Sequence, residues 1–215
     1  MRRFNPFVTA LALPAAACLA LAGCDGDDGE SPGQAAIAEI VPTTASASSV
    51  SGEALFTQDG DSVMLTVDIR NAAPGLHAVH IHETGDCSAP DGTSAGGHWN
   101  PTDEAHGRWG GDSFHLGDLG NVPVGSDGTG YLERTTDLWD IGTGSDRDIV
   151  GKAIIVHAGA DDFASQPSGA AGGRIACGVI GLEAQVRTGR GVRRSILMVP
   201  VRGSFAGLTA VSYRS

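Results

Sequence analysis

The sequence predicts an all-β fold: an eight-stranded antiparallel Greek-key barrel or sandwich with two long functional loops. Three observations carry this. Short runs with a period of two recur from residue 36 onward, as half-buried strands require. Clusters of turn-forming residues separate them, and 32 of 215 residues are glycine. The length suits a single core, and no internal repeat divides the chain.

Strands are expected near 36–41, 48–57, 62–69, 76–82, 113–118, 130–136, 149–157 and 174–181. In 62-SVMLTVDI-69, Val63, Leu65, Val67 and Ile69 fall on one face. Turns are expected at 58-QDG-60, 71-NAAPG-75 and 126-SDGTG-130. In 77-HAVHIH-82, strand alternation puts His80 and His82 on one face and His77 on the other. The run 153-AIIVH-157 places a histidine at a strand end. Two stretches, 83–112 and 158–173, are too long for plain turns; long loops in compact β domains are usually functional.

Charge is unevenly distributed. The formal net charge is -11, which argues against nucleic acid as a partner. Residues 31–183 hold 21 acids and six bases, a net of −15, whereas 184–215 hold six arginines and no acid. The domain is expected over 35–183. For the basic C-terminal extension 184–215 three readings stand: a poorly ordered tail, an added strand around 195-SILMVPV-201, or contact with anionic lipid.

The first residues have the pattern of an export signal. Arg2 and Arg3 precede an apolar run from Phe7 to Ala22, which Pro14 interrupts and which is short for a membrane span. The run ends in 21-LAGC-24, which resembles the lipobox of bacterial lipoproteins. That resemblance implies a signal over 1–23, acylation of Cys24 and membrane anchorage in the cell envelope. The alternative is an ordinary secretory signal with an incidental Cys24. Residues 24–34 then form an acidic, flexible linker. Cys87 and Cys177 remain as an even pair in an exported chain, so a disulfide is expected between them. Closing a loop of about 90 residues stabilises by roughly 4 kcal/mol in the chain-entropy account.

All seven histidines lie between His77 and His157. Imidazole is a frequent ligand for zinc and copper. A single buried histidine is more often a satisfied core residue; six at strand ends or in one loop argue for metal. The segments 76-LHAVHIHETGDC-87, 94-SAGGHWNP-101, 115-HLGDLGNV-122, 156-VHAGADD-162 and 172-GGRIACGVIG-181 resemble the copper,zinc superoxide dismutase family. The resemblance covers residues 36 to about 183.

It implies one copper and one zinc ion per subunit. Copper would be held by His80, His82, His98 and His157, and zinc by His98, His106, His115 and Asp118, with His98 bridging. It implies that Asp161 links the rings of His80 and His106, and that Arg174 docks superoxide beside the copper. His77, by the same resemblance, supports the site from behind through backbone hydrogen bonds. The implied activity is dismutation of superoxide; the alternative is a catalytically silent copper-binding or copper-delivery domain on the same fold. A homodimer is possible, although the tail leaves the barrel near the dimer contact of the animal enzymes. The second loop departs from those enzymes: between Asp162 and Arg174 it has no charge. Weaker, or differently routed, electrostatic steering is therefore expected, with Arg108 and Lys152 as the candidate compensating cations.

Overall fold

The alternation in 62–69 does form a strand, and its apolar face builds the core. The computed structural model describes residues 34–183, together with the backbone at 185–187 and 192–194. The leader, Cys24, the linker before residue 34 and the segment 195–201 lie outside the described residues.

Eight main strands run in chain order: β1 (Ala35–Pro42), β2 (Ser51–Asp59), β3 (Ser62–Arg70), β4 (Gly75–His82), β5 (Asp118–Val124), β6 (Gly130–Thr136), β7 (Ala153–His157) and β8 (Arg174–Val179). A two-residue strand, β9 (Gly181–Leu182), continues β8 and pairs with β1. Spatial order is β2-β3-β6-β5-β4-β7-β8-β1, and β1 pairs back to β2. The sheet is thus a closed antiparallel barrel. The connections β3–β4 and β6–β7 each pass over two strands, which is the Greek-key pattern. The sole helical element among the described residues is a 3₁₀ turn at Thr93–Ala95. No helix among them is long and apolar enough to cross a membrane. Beyond the barrel, β10 (Gln185–Arg187) pairs antiparallel with β11 (Val192–Arg194).

Val63, Leu65, Val67 and Ile69 point inward with Ile40, Phe56, Leu119 and Ile154, forming the barrel core. Trp139 closes it, edge-on to Phe56 at 5.9 Å between ring centroids. Its indole N–H donates to the Leu116 carbonyl at 3.0 Å, a bond that ties the end of the first long loop to the barrel.

The expected strand at 113–118 is displaced: β5 begins at Asp118. Residues 115–118 turn instead, because the Asp118 N–H donates to the His115 carbonyl and the His115 N–H to Asp118 Oδ2. The first loop therefore runs to Gly117. β7 begins at Ala153 rather than 149, since Asp148 Oδ1 accepts from the backbone of Val150 and Gly142 and holds a turn there. β2 begins at Ser51 rather than 48; the Ser48 hydroxyl accepts from the Val50 N–H, a local turn that delays the ladder.

Candidate metal centre

On β4, Val79 and Ile81 join the barrel core while His80 and His82 face outward, beneath the two long loops. A register shift between Val79 and His80 sets His80 opposite Asp118 of β5. β7 delivers His157 at its end, with another register shift beside it, opposite Arg174 of β8. The first loop brings in His98, which bridges to His82, and then His106 and His115. All these side chains are nearly or fully buried except Arg174, which is partly so.

Two clusters result. His80, His82, His98 and His157 bring one ring nitrogen each within 4.8 Å of one another. His98, His106, His115 and Asp118 form a second such cluster from three ring nitrogens and one carboxylate oxygen, sharing His98.

Hydrogen bonds fix which nitrogen each ring presents. His80 Nε2–H donates to Asp161 Oδ2 at 2.9 Å. His82 Nδ1–H donates to the Gly96 carbonyl at 2.9 Å, and His157 Nδ1–H to the Gly172 carbonyl at 3.2 Å. Each bond assigns the tautomer and leaves a lone pair on the other nitrogen. Those other atoms, His80 Nδ1, His82 Nε2 and His157 Nε2, are buried without a hydrogen-bond partner, as is His98 Nε2. Buried polar atoms are rarely left so. Four inward lone pairs are the donor set that copper(II) accepts.

The second cluster gathers around one carboxylate. Asp118 Oδ1 lies 2.8 Å from His98 Nδ1 and 3.2 Å from His115 Nδ1. Asp118 Oδ2 lies 3.0 Å from His106 Nδ1, an approach without hydrogen-bond alignment. His106 Nε2–H donates to Asp161 Oδ1 at 3.0 Å, so in the neutral ring Nδ1 turns a lone pair toward a carboxylate. A cation resolves that repulsion, and three imidazoles with one carboxylate suit tetrahedral zinc.

Protonation follows the same geometry. Burial pushes His82 down to about 2, with the nearby His98 imidazole adding to the effect. Burial likewise lowers His157 to about 3 and His98 to about 4. These rings stay neutral, ready to ligate. Burial also opposes charge on His106, but the Asp118 and Asp161 carboxylates, each 3.0 Å from one of its ring nitrogens, outweigh it and raise the ring to about 9. Burial would raise both carboxyls, yet the histidine contacts hold Asp118 and Asp161 well below the carboxylate range.

Arg174 donates from Nη1 to the Gly92 carbonyl and from Nη2 to the Gly96 carbonyl, both at 2.7 Å. Gly96 thus serves Arg174 and His82 together. Gly96 has φ 75°, and a Cβ there would run into Glu83 Oε1. A cavity of ≈ 440 Å³ opens here, lined by His82, His98, His115, His157 and Arg174 among others. Arg174 is the sole cation lining it among the described residues. Arg108 and Lys152, the candidate steering cations, lie elsewhere: Arg108 stacks 4.0 Å over Phe163, and Lys152 sits 5.7 Å from the Trp99 ring.

Cys87 and Cys177 form the expected disulfide. It ties the loop that carries Gly92 and Gly96 to β8, the strand of Arg174. His77 belongs to neither cluster; its ring nitrogens lie 2.8 Å from the His157 carbonyl and 2.9 Å from the Ala73 carbonyl.

Several supporting residues carried no recognisable sequence signal. Asn121 makes a reciprocal pair of bonds to the Asp161 main chain, at 2.7 and 3.0 Å. Gln166 does the same for His106. The Asp161 carboxylate also accepts from the Phe163 N–H at 2.7 Å.

Two adjoining histidine clusters on the outer wall of a Greek-key barrel define a protein built for a pair of metal ions. The family model for copper/zinc superoxide dismutase (SODC) matches residues 50–180, more than half of the sequence. The chain belongs to that family, whose members bind copper and zinc, and its two clusters are able to hold both ions. A solved structure described as the clock protein EA4 is similar, with a TM-score of 0.61 and 33% identity, over 70% of this chain and 95% of that chain.

Proposed function

We propose that this protein dismutates superoxide to dioxygen and hydrogen peroxide, as an exported, lipid-anchored enzyme of the cell envelope. The observation that carries the reading is the convergence of four buried, unpartnered ring nitrogens, three of them on rings that line a cavity also holding Arg174.

In this reading His80, His82, His98 and His157 hold copper, and His98, His106, His115 and Asp118 hold zinc. Copper supplies the one-electron chemistry when bound; zinc, which has no redox chemistry, supplies structure. Arg174, its guanidinium fixed by two carbonyls, attracts and orients the anion. His98 Nε2 faces the copper cluster while Nδ1 is held at the zinc cluster, so Nε2 is the atom placed to take up and return a proton. Asp161 holds the rings of His80 and His106 in orientation and makes them better donors.

The silent copper-binding alternative is less well supported, because Arg174 and the cavity beside it have no task in metal storage. The test is a superoxide-scavenging assay on the full chain loaded with copper and zinc, with apo protein and His157→Ala as controls. Activity well above both is expected; activity equal to apo overturns the enzyme reading. Export and anchorage rest on the 21-LAGC-24 motif. Cys24→Ser is expected to move the protein from the membrane to the soluble fraction, and unchanged membrane association would refute acylation at that residue.

A further inference from the structure

The loop 158–173 carries no charge between Asp162 and Arg174, yet it reaches across to the other long loop. The contact is made by Gln166. Its Oε1 accepts from the His106 N–H at 2.9 Å, and its Nε2 donates to the His106 carbonyl at 2.9 Å. A longer contact of 3.4 Å runs from Nε2 to the Ala164 carbonyl within its own loop. The side-chain amide thus pairs with both main-chain groups of one residue, 60 positions away. Such a reciprocal pair fixes the peptide planes on either side of the Cα, and with them the direction of the side chain.

That direction matters at His106. Its ring is fully buried and must point Nδ1 at Asp118 and Nε2 at Asp161 at once. Gly169, from the same loop as Gln166, closes over the second contact. With φ +66°, it lies so close that a Cβ would collide with Asp161 Oδ1 and meet His106 Nε2. The loop therefore meets His106 twice, at the main chain through Gln166 and at the ring through Asp161, a contact that Gly169 can cover only because it has no side chain.

We propose that Gln166 is the positioning residue for the zinc half of the centre, holding the main chain of His106 so that Nδ1 is presented as a ligand. This rests on the reading of His106 as a zinc ligand. The effect is selective. None of His80, His82, His98 and His157 hydrogen-bonds to Gln166, and His80 is linked to it through His106 and Asp161.

The test uses the full chain with Gln166→Met, which keeps the length and removes both bonds. Gln166→Glu serves as a second variant, retaining an acceptor for the N–H but no donor for the carbonyl. Zinc affinity is measured by competition with a chromophoric chelator, and copper affinity in parallel. Cobalt(II) in the zinc position reports coordination geometry through its visible bands, and amide exchange at His106 reports the clamp directly. Zinc affinity is expected to fall about 10- to 100-fold, the range for groups that orient ligands. Copper affinity should stay within about threefold. The cobalt bands should shift, and exchange at His106 should quicken in the Met variant. If the Met variant does not fold, the Glu variant decides by the same zinc and cobalt readouts.

Zinc affinity within twofold of the parent in a folded variant overturns the proposal, as does a parallel loss of copper and zinc, which marks general destabilisation. A parent chain that binds neither zinc nor cobalt overturns the metal reading itself. That outcome is distinct from a parent that binds normally and variants that do likewise.

Discussion

His98 turns Nδ1 to within 2.8 Å of Asp118 Oδ1 and keeps Nε2 buried without a partner on the opposite side. One ring thus belongs to both clusters, and its removal should damage both. His98→Ala is expected to lower superoxide-scavenging activity by at least about 100-fold, beyond the 10–100-fold typical of residues that merely orient ligands. The variant should also bind both metals more weakly. Metal content by elemental analysis, alongside activity, checks this; full zinc and copper retention in the variant would show that the ring does not bridge.

Arg174 is the one cation lining the cavity among the described residues, within a domain of net charge −15. Arg174→Ala should lower kcat/KM by about 10- to 150-fold, the equivalent of roughly 1.5–3 kcal/mol for a hydrogen bond to a charged group. Copper and zinc content should not change. Because Arg108 and Lys152 lie away from the cavity, the parent rate should depend little on ionic strength. A steep fall of rate with added salt would show steering from charges not credited with it here.

The two faces of 77-HAVHIH-82 separate support from ligation. His77 contacts only main-chain carbonyls, one of them that of His157, whereas His80 presents a buried lone pair. His77→Ala is therefore expected to weaken copper binding about tenfold, the low end for a supporting group. His80→Ala, which removes one donor of four, should weaken it beyond about 100-fold. Copper titration of the two variants side by side decides; equal losses would sink the distinction.

The sequence carried the barrel and the two metal clusters more clearly than the residues that hold them in place. Strand parity is local, so Val63 to Ile69 and the pair His80 and His82 could be placed from a few neighbouring positions. The start of β5 could not, because the alternation of Phe114 and Leu116 is overridden by the turn that Asp118 makes with the His115 main chain. Asn121 and Gln166 act through side-chain amides on backbone 40 and 60 residues distant. Asparagine and glutamine have no characteristic spacing for that task. Trp139 likewise gave no sign that its N–H would anchor Leu116, since an indole in a β domain is ordinarily core.

The opposed shifts within one centre predict a stability maximum for the metal-free protein. His82, His157 and His98 are lowered by burial to about 2, about 3 and about 4. Below their unfolded value of 6.5 the unfolded chain binds protons that the folded one refuses, so stability falls as pH drops. Asp118 and Asp161, held below their unfolded 3.8 by histidine contacts despite burial, add to the loss at still lower pH. His106 runs the other way. Its folded value near 9 gives a contribution that is complete below 6.5 and is lost as pH rises toward 9. Metal-free protein should therefore be most stable near pH 7, where folded and unfolded chains bind equal numbers of protons at these groups. If His106 is a zinc ligand, bound zinc would take the place of the proton, so in the zinc-loaded protein the alkaline fall should disappear. Urea midpoints of both forms from pH 4 to 9.5 check this. A metal-free midpoint that climbs steadily to pH 9 would mean that His106 is not held protonated between the two carboxylates.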